Sequence, residues 1–181
     1  MPHNFKTTFE KILSLFQELN ITYVLIGAWA SSFWGQARGT EDLDFLVLVN
    51  KKEFDHLKKK INSSTIFKLD KVWEKENPTI RDTHIRILCN NIHLDIIIPS
   101  DMHDNELLKR RILKKIYNLQ MYIASPEDVI IGKIKIGRPK DFQDALSVFV
   151  KNKAILDHNY LDLWAKKLSI FEELNWFYSQ V

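Results

Sequence analysis

Two aspartates, Asp42 and Asp44, stand in an otherwise apolar run, Asp-Leu-Asp-Phe-Leu-Val-Leu-Val. If that run is a strand, residues i and i+2 share a face and lie roughly 7 Å apart. Two carboxylates at that separation repel unless a cation lies between them or one takes up a proton. A Mg²⁺ ion held by one or two carboxylates and completed by substrate phosphates suits such a pair. Asp-x-Asp alone most often marks solvated surface, but the context here differs. Leu43, Phe45, Val47 and Val49 form one apolar face, while Leu46 and Leu48 continue the face of the aspartates. Carboxylates heading an apolar face point to a cleft.

A phosphate-binding candidate lies just upstream. The apolar strand Tyr23 to Ile26 breaks at Gly27, and helix-compatible residues run from Ala28 to Gly35. A tight turn there leaves the first backbone N–H groups of a helix free for an anion. The polar loop Gln36 to Glu41 then carries Arg38 and Thr40 beside the aspartates. Both could contact phosphate, and Thr40 reads equally well as a plain turn residue.

Further along, His84 to Cys89 and Ile92 to Ile98 read as two strands joined at Asn90-Asn91, since asparagine tolerates the positive φ of a tight turn. His93, Asp95 and Ile97 share a face, so the hairpin brings Asp95 toward the same cleft. An aspartate between isoleucines and leucine is costly to bury without a partner. His93 fits either a group supporting the carboxylates or a histidine packed among isoleucines.

Ser125-Pro126-Glu127-Asp128 is a helix start: a serine cap, proline at the first helical position and acids in the first turn. That helix carries Lys133, runs to about Ile136 and stops at Gly137. A second begins at Pro139 and continues through Val150. Arg138 and Lys140 open it, where cations oppose the helix dipole, which points to a nearby anion. Asp141 and Asp144 either favour the helix start or order those bases.

The ordered set Gly27-Ala28, Gly35, Arg38, Thr40 and Asp42-Leu43-Asp44 resembles the signature of the polymerase-β-type nucleotidyltransferase superfamily. It is most similar to the small prokaryotic branch of AbiEii-type toxins and related nucleotidyltransferases. That branch has a third aspartate on a later strand, then a proline-started helix with a lysine and a Gly-Arg-Pro-Lys-Asp turn. The counterparts here are Asp95, Ser125 to Asp128 with Lys133, and Gly137 to Asp141. Where the superfamily usually has Gly or Ser after the first glycine, this chain has Ala28, which keeps the backbone donors but offers no hydroxyl.

The resemblance implies an α/β fold, a mixed β-sheet flanked by helices with a C-terminal helical extension. It also implies a two-metal site for Mg²⁺, with Mn²⁺ as an alternative, held by Asp42, Asp44 and Asp95. Asp95 would hold the metal that activates the acceptor hydroxyl or act as its base. Gly27, Ala28, Arg38, Thr40, Lys133, Arg138 and Asp144 become the nucleotide-binding set, with Asp144 ordering the bases. The implied substrates are an NTP such as ATP and a hydroxyl acceptor: a tRNA end, another protein or a small molecule. A toxin–antitoxin or resistance setting, with a cognate antitoxin as partner, follows from the branch.

The elements that must position these residues read plainly. Phe5, Phe9, Ile12, Phe16 and Leu19 recur at helical spacing, as do Phe54, Leu57 and Ile61 in a lysine-rich segment. Short strands are expected at Thr65–Leu69 and near Val72–Trp73. Asn105 to Ile116 reads as a helix crowding Lys109, Arg110, Arg111, Lys114 and Lys115 onto its solvent side. Asp157 to Val181 reads as two helices broken near Ser169. Residues 1–124 form the expected α/β core and 125–181 a helical extension packed on it as one compact unit.

Bulk properties limit the alternatives. The 181 residues suffice for one domain with a core, and 45% hydrophobic and 27% charged residues are ordinary for a globular chain. One cysteine, Cys89, excludes an internal disulfide and fits a reducing, cytoplasmic setting. No apolar run approaches a membrane span, and the N-terminus has no signal-peptide core. A net charge of +3 is too mild to identify a nucleic-acid binder. Two other functions remain open: a nucleotide-binding module without turnover, serving as antitoxin or regulator, and a nucleic-acid binder using the basic 109–115 helix.

Overall fold

The computed structural model describes residues 2–180, with side chains from residue 4 onward. Met1 and Val181, the outer ends of the expected core and extension, lie outside the described residues. Helix α1 (Pro2–Glu18) leads into β1 (Thr22–Ile26), α2 (Gly27–Trp34), β2 (Asp42–Leu48) and α3 (Lys51–Asn62). Then come β3 (Lys68–Leu69), α4 (Lys71–Glu76), the hairpin β4 (His84–Cys89) and β5 (Ile92–Ile97), and α5 (Met102–Arg110). A second hairpin, β6 (Ile112–Ile116) and β7 (Leu119–Ile123), precedes α6 (Pro126–Ile136), α7 (Pro139–Asn152), α8 (His158–Lys167) and α9 (Phe171–Ser179).

The strands form one mixed sheet in the order β3-β4-β5-β2-β1-β7-β6. β2 sits at its centre, antiparallel to β1 and parallel to β5. The α/β architecture read from the sequence is therefore present. Both hairpins turn on two residues of positive φ, Asn90 and Asn91 in one, Tyr117 and Asn118 in the other. Such turns match the right-handed twist of the strands they join.

Alternation along β2 decides the layers. Phe45 is fully buried on one face, where Phe9 and Phe16 of α1 meet it edge-on. Each such aromatic withdrawn from water contributes about 2–3 kcal/mol, so the amphipathic stripe of α1 fixes which way β2 faces. Asp42 and Asp44 are left on the opposite face, which α5 and α6 flank. Among the described residues no helix is long and apolar enough to cross a membrane.

The basic run departs from expectation. Helix α5 ends at Arg110, Arg111 turns extended at φ −51° and ψ 140°, and residues 112–116 form edge strand β6 against β7. Leucine and lysine favour helix, yet pairing with an adjacent strand overrides local propensity. Val72–Trp73, expected as strand, lies in α4, where the Asp70 side chain accepts a hydrogen bond from the Trp73 N–H and caps the helix. The strand expected at 65–69 contracts to Lys68–Leu69.

Candidate active site

Asp42 and Asp44 occupy the start of β2 and face a cleft of about 380 Å³. In register, Asp44 lies opposite Ile26 of β1 on one side and opposite Asp95 of β5 on the other. All three aspartates line the cleft, with Gly27, Ala28, Arg38 and Thr40 at one end and Lys133 and Arg138 along a wall. Asp144, the remaining residue of the expected set, sits behind that wall.

Gly27 adopts φ +66°, and a Cβ there would stand 2.0 Å from Asp44 Oδ2. Only glycine allows the first turn of α2 to approach the carboxylate so closely. Among the described residues Asp44 has no hydrogen-bonded cationic partner. Its carboxyl is pushed up to about 6, by burial first and then by the negative charges of Asp95 and Asp42. Asp42 is more open, its side chain 44% exposed, with His93 Nδ1 3.6 Å from its Oδ1. His93 is thus half-exposed beside a carboxylate rather than packed among isoleucines.

Asp95 is buried and fully engaged. Arg86 donates to it twice, Nε to Oδ1 at 2.9 Å and Nη2 to Oδ2 at 2.7 Å, and His84 Nε2 lies 2.7 Å from Oδ1. Burial alone would raise its pKa, but the bonds from His84 and Arg86 outweigh it and hold the carboxyl below the usual range. The Trp73 ring backs this cluster, 4.4 Å from the His84 ring.

A second network stands behind the wall. Asp144 takes both Arg38 Nε at 2.8 Å and Arg38 Nη2 at 2.9 Å, fixing the loop before β2 to α7. The buried Lys133 Nζ lies 2.9 Å from Asp141 Oδ1 and 2.9 Å from Asp144 Oδ2. Arg138 closes the set by donating to Asp141. Both carboxyls are held below their ordinary range, because these bonds exceed the effect of burial. The anion facing Arg138 at the helix start is therefore Asp141, whereas Lys140 lines the cleft with no carboxylate partner among the described residues. Thr40 Oγ1 lies 3.4 Å from the Asp42 N–H, the contact of a strand-start residue.

The family described as "Nucleotidyltransferase of unknown function (DUF6036)" matches residues 3–176. The chain belongs to this nucleotidyltransferase family. Its fold is shared with solved structures at low identity. An antigenic nucleotidyltransferase-like protein from Paracoccidioides brasiliensis is 18% identical, with a TM-score of 0.59 over 92% of this chain and 87% of that one. The antibiotic-resistance factor ANT(2'')-Ia is 13% identical, with a TM-score of 0.60 over 100% of each chain. A lincomycin-bound lincosamide antibiotic adenylyltransferase, LnuA, is 15% identical, with a TM-score of 0.51 over 77% of this chain and 93% of that one. No curated protein matches the chain in sequence.

Nucleotidyltransferases generally use divalent metals, and the donor set here fits one. Asp42 and Asp44 offer hard oxygens, and the Asp44 carboxylate is destabilised by burial and by neighbouring negative charge. Among the described residues no three His, Cys, Asp or Glu side chains form a closed metal cage. A site of two carboxylates completed by substrate phosphates needs none. The residues not anticipated from sequence are Arg86 and His84, the partners of Asp95. Their signal was available: counting back from the two-residue turn puts Arg86 directly opposite Asp95.

Proposed function

We propose that the protein transfers a nucleoside monophosphate from an NTP to a hydroxyl group in a Mg²⁺-dependent reaction. The acceptor oxygen forms a bond to the α-phosphorus, the α–β phosphoanhydride bond breaks, pyrophosphate leaves and the hydroxyl proton passes to solvent. The carrying observation is Asp44: a carboxylate that no cation among the described residues hydrogen-bonds, set against Gly27 and flanked by Asp42 and Asp95. Asp42 and Asp44 would hold the metal, with Mn²⁺ as an alternative to Mg²⁺. When bound it neutralises triphosphate oxygens and the charge of the leaving pyrophosphate.

The chain's own residues bind and orient. Gly27 and Ala28 line the cleft at the start of α2, where free backbone N–H groups would serve as anion donors, and Arg138 and Lys140 add positive charge to its lining. Lys133 anchors Asp141 and Asp144, which in turn hold Arg138 and Arg38 in place. Asp95, kept ionised by Arg86 and His84, is a poor proton acceptor. Its pairing supports the role of a fixed charge on the metal side over that of a base. Two structural neighbours, the adenylyltransferase LnuA and ANT(2'')-Ia, solved in complex with adenylyl-2''-tobramycin, carry an adenylyl group in their descriptions, which supports ATP as donor.

Calorimetry with Mg²⁺ and a non-hydrolysable ATP analogue tests the site. Binding is expected to need the metal and to vanish in Asp42→Asn/Asp44→Asn. Unchanged affinity in that double variant overturns the assignment.

A further inference from the structure

We propose that the acceptor is a small hydroxyl compound bearing no positive charge. This rests on the nucleotidyl-transfer reading above and follows from which charges in the cleft are already spoken for. A polycationic acceptor needs carboxylates to receive its ammonium groups. Asp95 is occupied by Arg86 and His84. Asp104 accepts from Ser100 N at 2.8 Å and Ser100 Oγ at 2.7 Å through Oδ2, and its Oδ1 lies 3.5 Å from Lys135 Nζ. Asp128, with 0% exposure, accepts from Ser125 Oγ and Tyr160 Oη. Only Asp42 and Asp44 remain, and the proposed chemistry commits both to metal. What is left over is cationic: Lys140, without a carboxylate partner among the described residues, and Arg138, more than half exposed. Ammonium groups would meet repulsion there.

An RNA acceptor needs a basic track leading to the cleft, and the basic run at 109–115 does not form one. Lys109 pairs with Glu106, and Arg110 bonds Glu127 while its guanidinium lies 3.7 Å from the Tyr160 ring centre. Arg111 lies over Tyr122 and Lys114 over Trp34, and none of residues 109–115 lines the cleft. Three of the five lysines of α3, Lys60, Lys58 and Lys51, pair with Glu18, Glu74 and Asp82, and none of the five lines the cleft.

Beside Arg138 and Lys140 the cleft wall carries an apolar strip. Leu46 and Ile97 lie two residues past Asp44 and Asp95 on the same face and pair in register, and Ile136 is 54% exposed at the rim. A cleft of about 380 Å³ lies in the range of small-ligand sites. A compound without positive charge, with an apolar face and a free hydroxyl, fits these walls.

The test uses the full chain, Mg²⁺ and each α-³²P-labelled NTP with four acceptor pools. These are tobramycin, total tRNA, and the fractions of a small-molecule cell extract that pass through or are retained by a cation exchanger at neutral pH. Label is expected to move at least tenfold more to the unretained fraction than to any other pool. Preferred labelling of tobramycin, of the retained fraction or of tRNA overturns the inference. So does micromolar binding of tobramycin measured calorimetrically with Mg²⁺ and a non-hydrolysable ATP analogue present. If no pool is labelled and no pyrophosphate is released, the transferase reading fails, and the acceptor inference falls with it.

Discussion

The carboxylate of Asp44 rests against the bare Cα of Gly27: a methyl group placed there would overlap Asp44 Oδ2 at 2.0 Å. The two residues belong to different elements, the first turn of α2 and the start of β2, and glycine at φ +66° lets them meet. This single approach sets how near the helix N-terminus comes to the carboxylate pair.

Gly27→Ala therefore attacks the site twice. The left-handed backbone costs about 1 kcal/mol for a residue with a Cβ, and Asp44 must move aside. We expect a stability loss of about 1–3 kcal/mol in urea denaturation and loss of metal-dependent nucleotide binding by calorimetry. Wild-type affinity in a folded Gly27→Ala protein would falsify the close approach as a functional feature.

Asp44 also sets a pH dependence. Its folded-state carboxyl titrates near 6, above its ordinary value of 3.8, so between those values the folded chain holds a proton that the unfolded chain has released. The metal-free protein is thus most stable, as far as this group matters, below about pH 4, and loses that contribution as pH rises through about 6. Asp44→Asn removes the dependence and stabilises the metal-free protein at pH 7.5 by at most about 3 kcal/mol. Denaturation at pH 4.5 and 7.5 measures it; a variant less stable than wild type at pH 7.5 contradicts the assignment.

Arg86 holds Asp95 with opposite sign. The depressed carboxyl of Asp95 contributes stability above the ordinary carboxylate pKa, lost as pH falls through its lower folded value. Arg86→Met leaves a buried carboxylate with His84 alone, and breaking a buried pair costs about 3–5 kcal/mol. Thermal melts should show that loss at pH 7 and a shallower decline in acid than wild type. An equal loss at every pH would assign the effect to packing instead.

Much of this arrangement is legible in the residues themselves. Alternation in β2 places Asp42 and Asp44 together, and the Asn90-Asn91 turn brings Asp95 beside them. The Gly137 and Pro139 pair separates α6 from α7. The basic run misleads because Leu113, Lys114 and Lys115 carry helix propensity, while their conformation is decided by β7 across a turn at Tyr117-Asn118. Arg38 and Asp144 meet across 106 positions, through the packing of α2 and the loop after it on α7. No local pattern encodes such a contact. The cations at a helix start pointed to a nearby anion without identifying it. For Arg138 that anion is internal.

That distinction separates Lys133 from Lys140. Lys133 Nζ is buried between Asp141 and Asp144, so Lys133→Met removes the shared cation of two carboxylates. Arg138 and Arg38 still partner those carboxylates, which limits the cost to about 2–4 kcal/mol. Lys140 lines the cleft with no carboxylate partner among the described residues, so Lys140→Ala should leave stability within about 0.5 kcal/mol. Nucleotide binding should show the reverse order. A phosphate approaching Lys133 must compete with two carboxylates already at 2.9 Å, whereas one approaching Lys140 gains an unpaired charge. We expect Lys140→Ala to weaken Mg²⁺–ATP binding severalfold and Lys133→Met to weaken it less, once each is measured well below its melting transition. A double-mutant cycle between Lys133→Met and Asp144→Asn should give a coupling of about 1–3 kcal/mol in stability. Coupling near zero, with nucleotide affinity lost in Lys133→Met alone, would make Lys133 a direct phosphate ligand rather than the anchor of the wall.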